Sequence, residues 1–228
     1  MRFKDVFSII GPAMIGPSSS HTAGAVRIGQ VGRQLFGGQM ARAEIIFYGS
    51  FADTYRGHGT DLAVVSGLLG FATDDVRIPD AIGEAALAGL ELVIRTGSGR
   101  ITHPNTVDLL LSGDTLTTSL RGVSIGGGNI EIQAVDEHAV TFSGEYPTLL
   151  IYHDDRPGVL ADITQLFKEQ GMNIGYMDVD RTSRTGSAMT VIEADQSLED
   201  DLMKRIAKVA HVKRAITIDL KKEEGKQQ

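Results

Sequence analysis

The residues best suited to chemistry in this sequence form a short loop, GPSSSHT at positions 16–22, directly before a segment with helical periodicity. The loop brings four hydroxyls and an imidazole to a helix N-terminus, where exposed N–H groups and the positive end of the helix dipole favour a carboxylate or a phosphate. Alternatively, Ser20 or Thr22 simply caps the helix. A cap needs one side chain rather than four with a histidine, so Ser18, Ser19, Ser20, His21 and Thr22 are predicted to bind a ligand.

A second motif, RGHGTD at positions 56–61, places His58 between two glycines just before another predicted helix. The glycines leave the imidazole sterically open, and its ordinary pKa of about 6.5 makes it a ready proton acceptor at neutral pH. A solvent-exposed turn histidine is the alternative interpretation. Asp61 either orients the ring or caps the following helix, and the sequence leaves both roles open.

Other motifs carry weaker signals. His103-Pro104-Asn105-Thr106 and the triple glycine at 126–128 fit a ligand contact as well as they fit a polar turn or a β-bulge. The segment RTGSGR at 95–100 lacks the Gly-Lys-Ser/Thr and the spaced glycines of nucleotide loops, so nucleotide binding is not predicted. His138, His153 and His211 have no companion ligands at metal spacing and are interpreted as ordinary surface or sheet residues.

Composition excludes several classes of protein. The 228 residues include no cysteine, so this chain has no disulfides, no thiol nucleophile and no thiolate ligands for zinc or iron–sulfur centres. A net charge of −7 does not fit a nucleic-acid binder. No stretch approaches the roughly 18 to 20 apolar residues of a membrane span, and the start MRFKDVFSIIGPAM lacks a signal-peptide cleavage site, so a cytoplasmic protein is expected.

The chain divides by composition near residues 143–147, because residues 1–147 hold 22 of the 27 glycines and only one lysine. We therefore predict domains at 1–147 and 148–220 and a disordered tail at 221–228. In the first domain the patterns predict helices at 23–36, 60–70 and 82–90, a loop at 50–59, and several strands, the last being AVTF at 139–142. Three glycines in the first helix indicate close backbone packing. The class is α+β.

The second domain reads as βαββαβ, which is a ferredoxin-like sandwich. Strands are predicted in TLLIYH, NIGYMDVDRTS, SAMTVIEAD and VKRAITIDL, with helices after the first and third strands and a turn at Thr185 and Gly186. The segment DDRPG is predicted to start the first helix, with an aspartate as N-cap and Pro157 in the first turn. Gly171 is predicted to end that helix.

The strings GPSSSHTAG, SFADTYRGHGTDLAVVSGLLG and GVSIGGG resemble the beta subunit of bacterial iron–sulfur-dependent L-serine dehydratases. The resemblance spans nearly the whole chain. It implies that the first part is an α/β sandwich related to the allosteric substrate-binding domain of some phosphoglycerate dehydrogenases. It also implies that residues 148–220, with the DRPGVL turn, form an ACT domain.

The resemblance further implies a two-chain enzyme that converts L-serine to pyruvate and ammonia, with a [4Fe–4S] cluster held by a separate alpha subunit. Residues 18–22 would hold the substrate carboxylate, with Asp61 nearby. His58 would be the base that removes the α-proton, and His21 is its competitor for that role. A pyridoxal route on this chain is not expected, because the first domain has only Lys4 as a lysine. The alternative is a non-catalytic subunit that binds an amino acid and regulates a partner.

The turn of the ACT-like segment departs from the serine-responsive pattern, which often has asparagine before Arg-Pro-Gly. Here Asp154 and Asp155 precede Arg156, Pro157 and Gly158. Two carboxylates would repel an amino acid's carboxylate and would favour an ammonium group or a cation instead. An allosteric amino acid, a cation and a purely dimerising role all remain open for this turn, and self-association through this domain is expected because its sheet leaves an edge exposed.

Overall fold

The computed structural model describes residues 13–183 and 186–224 and divides the chain into two compact units. The first unit extends to Gln133 and the second begins at Ala134. Side chains at 223 and 224 are not part of the description. The N-terminal segment assessed for a signal peptide lies almost entirely outside the described residues, as does Thr185 of the predicted turn.

The first unit contains four α-helices and five strands within its described residues. The helices are α1 (Ala23–Phe36), α2 (Gly49–His58), α3 (Thr60–Leu69) and α4 (Ala81–Leu87), with a 3₁₀ turn at Ile78–Asp80 before α4. The strands are β1 (Arg42–Tyr48), β2 (Glu91–Thr96), β3 (Thr106–Ser112), β4 (Thr117–Gly126) and β5 (Asn129–Val135). The α+β class predicted from the sequence is confirmed.

The five strands form one sheet in the order β2-β1-β3-β4-β5. Strand β1 pairs in parallel with β2 and antiparallel with β3, and β3 pairs antiparallel with β4. Tyr48 at the end of β1 is opposite Thr106 at the start of β3, which is opposite Val123 near the end of β4. The start of α2, which directly follows β1, therefore meets the loop after β4 and the loop before β3 at one end of the sheet.

Helices α1 and α3 meet backbone to backbone, as the glycines of α1 predicted. A Cβ on Gly29 would lie 2.3 Å from the carbonyl oxygen of Val64, and a Cβ on Gly67 would lie 2.0 Å from that of Val26. Gly32 faces the side chains of Leu109 and Leu111 on β3 at 3.0 and 3.4 Å. Both glycines of the helix contact are therefore required by close approach and not by a special backbone conformation.

Two local predictions for the first part are wrong. Residues 50–59 are not a loop, because α2 runs from Gly49 to His58 and buries Phe51 completely. Residues 139–142 do not form a strand, since the pairing there is limited to an isolated bridge at Phe142. The backbone N–H groups of Thr141 and Ser143 instead donate to side-chain carboxylates.

The second unit has the predicted βαββαβ order. Its elements are β6 (Thr148–Asp154), α5 (Val159–Glu169), β7 (Ile174–Arg181), β8 (Ser187–Ala194), α6 (Asp200–Ile206) and β9 (Val212–Ile218), followed by α7 (Leu220–Glu224). The sheet order is β7-β8-β6-β9, with every pairing antiparallel. Apolar side chains from both helices and the sheet form a buried core that includes Ile151, Ile163, Phe167 and Leu202.

The connector at residues 136–147 is bonded to strands of the second unit. The backbone N–H of Thr141 donates to Asp178 Oδ2 on β7 at 3.1 Å, and the backbone N–H of Ser143 donates to Glu193 Oε1 on β8 at 2.8 Å. Val140 and Phe142 are buried, at 1% and 2% exposure. The second compact unit thus includes the connector, whereas the predicted boundary at 147/148 assigned it to the first domain.

Three further details of the second unit differ from or match expectation. The N-cap of α5 is Gly158, with φ of 96°, so neither aspartate caps the helix as predicted. Gly171 does follow its C-terminus, with φ of 64° and its N–H donating to the carbonyl of Lys168. Residues 221–224 belong to a short helix and not to a disordered tail.

Within the described residues, no helix has the length and apolar character needed to cross a membrane.

Candidate functional site

The serine loop, residues 16–20, leads into α1 and is ordered by its own backbone. The N–H of Thr22 donates to the carbonyl of Ser18 at 2.8 Å, and the N–H of Gly24 donates to that of Ser19 at 3.0 Å. The hydroxyl of Ser18 lies 3.3 Å from His21 Nδ1. These contacts place Ser18, Ser19 and Ser20, all half-buried, at the N-terminus of a fourteen-residue helix.

His58 lies beside His21, although 37 positions separate them in the sequence. Their ring centroids are 4.7 Å apart at an interplanar angle of 78°, and His21 also meets Phe51 edge-on at 5.1 Å. Phe51 and His58 lie two helical turns apart on α2, so one face of this helix presents both rings to His21. The structure thus brings together the two histidines that the sequence singled out.

The environment of His58 is partly what the sequence predicted. Gly57 is exposed, and a Cβ added to it would have no atom within 4 Å, so that flank is open. Gly59 has φ of 66°, ending α2 and starting α3, a conformation that favours glycine. His58 itself is half-buried at the helix end and is not a residue of a solvent-exposed turn.

Burial lowers the pKa of His21 below its ordinary value of 6.5, and the nearby His58 imidazole lowers it further. The His21 ring is therefore predominantly neutral at neutral pH, so a hydrogen-bonding role fits it and a positively charged role does not. His21 Nε2 and His58 Nδ1 are both buried without a hydrogen-bond partner. A neutral imidazole nitrogen of this kind can accept a proton or hold a ligand atom.

The capping alternative for Thr22 is wrong. Thr22 occupies the N-cap position of α1, yet its side chain makes no capping hydrogen bond, and its buried Oγ1 has no partner. The hydroxyl instead points at Gly16, where a Cβ would lie 2.2 Å from Thr22 Oγ1. A polar group that is buried and unbonded costs stability, so its retention points to a ligand.

The triple glycine and the HPNT turn, both weak signals in the sequence, lie at this end of the sheet. A Cβ on Gly126 would be 3.9 Å from Ser20 Oγ, and the carbonyl of Gly128 accepts a hydrogen bond from Arg27 at 2.9 Å. Asn105 Nδ2 donates to the carbonyl of Ser124 at 3.3 Å. Contact of either motif with a ligand stays a prediction.

Sequence reasoning missed two polar residues here. Ser124 and Thr60 are both fully buried with unbonded hydroxyls, and Ser124 Oγ lies 2.2 Å from a Cβ position on Gly24. A lone serine in an alternating strand and a threonine at a helix start carry no signal of their own. Asp61 Oδ1 accepts the N–H of Leu62 at 2.9 Å, which is a local helix-end role, and its binding of substrate stays a prediction.

The turn of the second unit is built differently. Asp155 pairs with Arg181 at 3.2 Å, and Asp154 pairs with Lys213 at 2.6 Å, which lowers the pKa of Asp154 through the hydrogen bond from that lysine. Arg156, Pro157 and Gly158 are exposed. Both carboxylates are thus occupied by the chain's own cations, which gives no support to a bound metal at this turn.

The chain does not fit as the holder of an iron–sulfur cluster. It has no cysteine, and within residues 13–183 and 186–224 no three His, Asp or Glu side chains come together in a metal-binding arrangement. His138 and His153 are buried structural residues, bonded to Asp180 and Thr190 respectively. What the first unit offers is a helix N-terminus lined by hydroxyls, next to two imidazoles. A helix N-terminus lined by hydroxyl donors suits a small anion such as a carboxylate.

Comparison with known proteins identifies the family to which this chain is similar. Residues 3–89 match the family model of the serine dehydratase beta chain, and residues 148–211 match the ACT domain. The chain is 42% identical to the "Probable L-serine dehydratase, beta chain" of Bacillus subtilis, over 93% of this chain and 96% of that protein. It is 36% identical to the "L-serine dehydratase, beta chain" of Peptoniphilus asaccharolyticus, over 90% and 94%. Similarity to a D-3-phosphoglycerate dehydrogenase of Synechocystis is 27% identity, over 86% of this chain but 36% of that protein.

This chain belongs to the L-serine dehydratase beta chain family, and its C-terminal part is an ACT domain. The family resemblance predicted from the sequence motifs is confirmed.

Proposed function

We propose that this chain is the beta subunit of a two-chain L-serine dehydratase, which converts L-serine to pyruvate and ammonia. The observation that carries the proposal is the His21–His58 pair, because two adjacent imidazoles with unbonded buried nitrogens lie directly beside a loop of serine hydroxyls at a helix N-terminus. The names of the two relatives from Bacillus subtilis and Peptoniphilus asaccharolyticus support the same substrate.

The first task of this chain is to hold the substrate carboxylate. The hydroxyls of Ser18, Ser19, Ser20 and Thr22 donate to it, and the positive end of the α1 dipole favours the negative charge. Binding there places the α-carbon of serine close to the paired imidazoles. Holding the substrate in one orientation replaces part of the entropy that an unbound reactant would lose in the transition state.

The second task is proton transfer. His58 accepts the α-proton, since it is less buried than His21 and has an open flank at Gly57. The C–H electron pair forms the new double bond while the C–O electron pair leaves with the oxygen, and the departing hydroxide takes the proton back from His58 and leaves as water. The aminoacrylate then tautomerises to the imine, which water hydrolyses to pyruvate and ammonia. His21 stays neutral and orients the substrate, with Ser18 and Phe51 fixing its ring.

The third component comes from outside this chain. An alpha subunit holds the [4Fe–4S] cluster, which supplies a Lewis acid for the serine hydroxyl when it is bound there. The lack of cysteine in this chain fits that division. The chain alone is therefore expected to be colourless and inactive.

The test combines this chain with a separately purified alpha subunit and measures pyruvate formation. His58→Gln should abolish turnover while leaving complex formation and the cluster's absorption spectrum unchanged. His211→Gln is the matched control, because His211 is half-exposed in the second unit and should leave turnover unchanged. If His58→Gln keeps full turnover and His21→Gln does not, the two roles are reversed. Robust deamination by this chain alone, free of iron and pyridoxal phosphate, would contradict the whole proposal.

A non-catalytic function is the second candidate, favoured by the similarity to a phosphoglycerate dehydrogenase of which the chain spans about a third. In that case both units bind an amino acid and regulate a partner. Full turnover in both histidine variants, together with loss of the complex's response to serine, would favour it.

We propose that the ACT domain also joins two copies of this chain. Strand β7 is an outer strand of its sheet and exposes Met177 by 42% and Val179 by 36%. A second copy pairing along β7 would cover these apolar side chains and bond the free strand edge. Val179→Lys should lower the mass of the complex in light scattering, and an unchanged mass would contradict this interface.

A further inference from the structure

Three hydroxyls in the first unit are enclosed without a hydrogen-bond partner. Thr22, Thr60 and Ser124 are 2%, 0% and 0% exposed, and the hydroxyl oxygen of each is unbonded. Buried polar groups are nearly always bonded in native proteins, so three in one unit call for an explanation. Exceptions of this kind are expected at functional or strained sites.

Ser124 and Thr22 both adjoin the segment that starts α1. Ser124 lies near the end of β4, and its hydroxyl lies against Gly24. The Thr22 hydroxyl lies against Gly16. Any side chain at Gly16 or Gly24 would collide with one of these hydroxyls, which explains physically why the motif GPSSSHTAG has glycine at both places.

Thr60 lies at the same end, although it begins a different helix. Thr60 follows His58 by two positions, and the His58 ring lies 4.7 Å from the ring of His21, just before α1. The start of α3 therefore lies near the start of α1, so the positive ends of both helix dipoles lie in one region.

We propose that Ser124 and Thr60, with Thr22, form a hydroxyl layer that donates hydrogen bonds to the carboxylate of the amino-acid substrate. The inference rests on the proposed function and extends its binding site beyond the serine loop to β4 and α3. Hydroxyl donors at two positive helix ends suit a carboxylate better than an ammonium group, and the carboxylate of nearby Asp61 is bonded to its own helix. Because Gly16 lies against the Thr22 hydroxyl, the serine loop must shift there to admit the ligand.

The experiment compares Ser124→Ala and Thr60→Val with the unmodified full-length chain, using L-serine as the probe. Binding to the chain is measured by calorimetry, and KM is measured in the complex with the alpha subunit. Each substitution should weaken serine affinity and raise KM about tenfold or more, because a hydrogen bond to a charged group is lost. The melting temperature without ligand should be unchanged or higher, since the removed hydroxyl had no partner to lose.

Thr190→Val is the matched control, because Thr190 is equally buried but bonded to His153 Nε2 at 2.8 Å. It should lower the melting temperature and leave serine affinity unchanged. A lowered melting temperature with unchanged affinity in Ser124→Ala and Thr60→Val would show that these hydroxyls are structural and would overturn the inference. Unchanged affinity with an unchanged melting temperature would overturn it equally.

The outcome is separable from that of the proposed function. If the hydroxyl variants bind serine normally while His58→Gln abolishes turnover, the hydroxyl layer is refuted and the catalytic proposal stands. If the hydroxyl variants lose serine binding while both histidine variants retain turnover, the carboxylate site stands and the assignment of the base fails.

Discussion

The two units differ in whether their buried polar side chains are hydrogen-bonded. In the described part of the chain, every buried side-chain nitrogen or oxygen without a hydrogen-bond partner belongs to the first unit. These atoms are His21 Nε2, Thr22 Oγ1, Gln30 Oε1, His58 Nδ1, Thr60 Oγ1 and Ser124 Oγ. In the second unit His153 is bonded through both ring nitrogens, and Glu193 accepts two hydrogen bonds from Ser143. Satisfied polar groups stabilise a fold, whereas an unsatisfied buried group calls for an explanation such as an absent ligand.

A pair of histidine substitutions tests this contrast most strongly. His58→Gln should reduce turnover of the complex by at least about a hundredfold, the usual contribution of a general base, with little change in the free energy of unfolding. His153→Gln should do the reverse, costing about 1–3 kcal/mol of stability through unpaired partners while turnover per folded molecule stays normal. Steady-state kinetics and urea unfolding of both variants give the comparison. A large loss of stability in His58→Gln would remove the distinction.

Phe142, in the connector of the second unit, is a residue whose replacement should affect stability only. Phe142 is 2% exposed and lies between Thr141 and Ser143, whose N–H groups are bonded to β7 and β8. Phe142→Ala should lower the free energy of unfolding by about 3–5 kcal/mol, as is usual for a buried phenylalanine. Phe142→Leu is the control and should cost much less. Urea denaturation decides the matter, and a cost below about 1 kcal/mol for the alanine variant would show that the connector is peripheral.

The loss of folding stability as the pH falls below neutral should depend on His21. Its pKa in the folded chain lies below the ordinary 6.5, so below that pH the unfolded chain binds more protons than the folded one. Stability that is present above about pH 6.5 is therefore lost as the pH falls through the lowered pKa. His21→Gln should flatten this part of the profile, measured as melting temperature across the range from neutral to mildly acidic pH. An unchanged slope would mean that other groups control it.

The smallest effect is expected at the ACT turn. Asp155 and Arg181 form a partly exposed pair, so Asp155→Asn should change the free energy of unfolding by no more than about 1 kcal/mol. Added Ca²⁺ or Mg²⁺ should leave the melting temperature of the unmodified chain unchanged, since the aspartates are already paired. A clear rise with either ion, absent in Asp155→Asn, would restore the cation site that the sequence suggested.

Strong local patterns explain what the sequence predicted well. Helix α1 has apolar periodicity and ends at Gly37 in the left-handed conformation, and its predicted range of 23–36 matches the structure. The βαββαβ order followed from the alternation of short apolar runs with two amphipathic helices. His21 and His58 could be singled out from their motifs. A helix cap needs only one of the hydroxyls beside His21, and the two glycines beside His58 leave its ring open.

Tertiary contacts explain what the sequence could not predict. Helix α2 was missed because Ser50, Asp53 and Thr54 suggest a loop, while its stability comes from packing of Phe51 and Tyr55 against Phe47 on β1. The segment at 139–142 has the alternation of a strand, but N–H groups in and beside it donate to carboxylates instead of a ladder. Ser124 emerged as a candidate for the site only because the sheet places its side chain against Gly24.

The contact between Gly29 and Gly67 has a consequence for motion. Because α1 and α3 touch through their backbones, no layer of side chains between them can be repacked to let one helix slide past the other. The backbone amides of the two helices should therefore show the same protection against hydrogen exchange, because the helices open together as one cooperative unit. The helix ends that carry Thr22 and Thr60 are thereby kept at a constant spacing, and any adjustment to a ligand falls to the serine loop before α1.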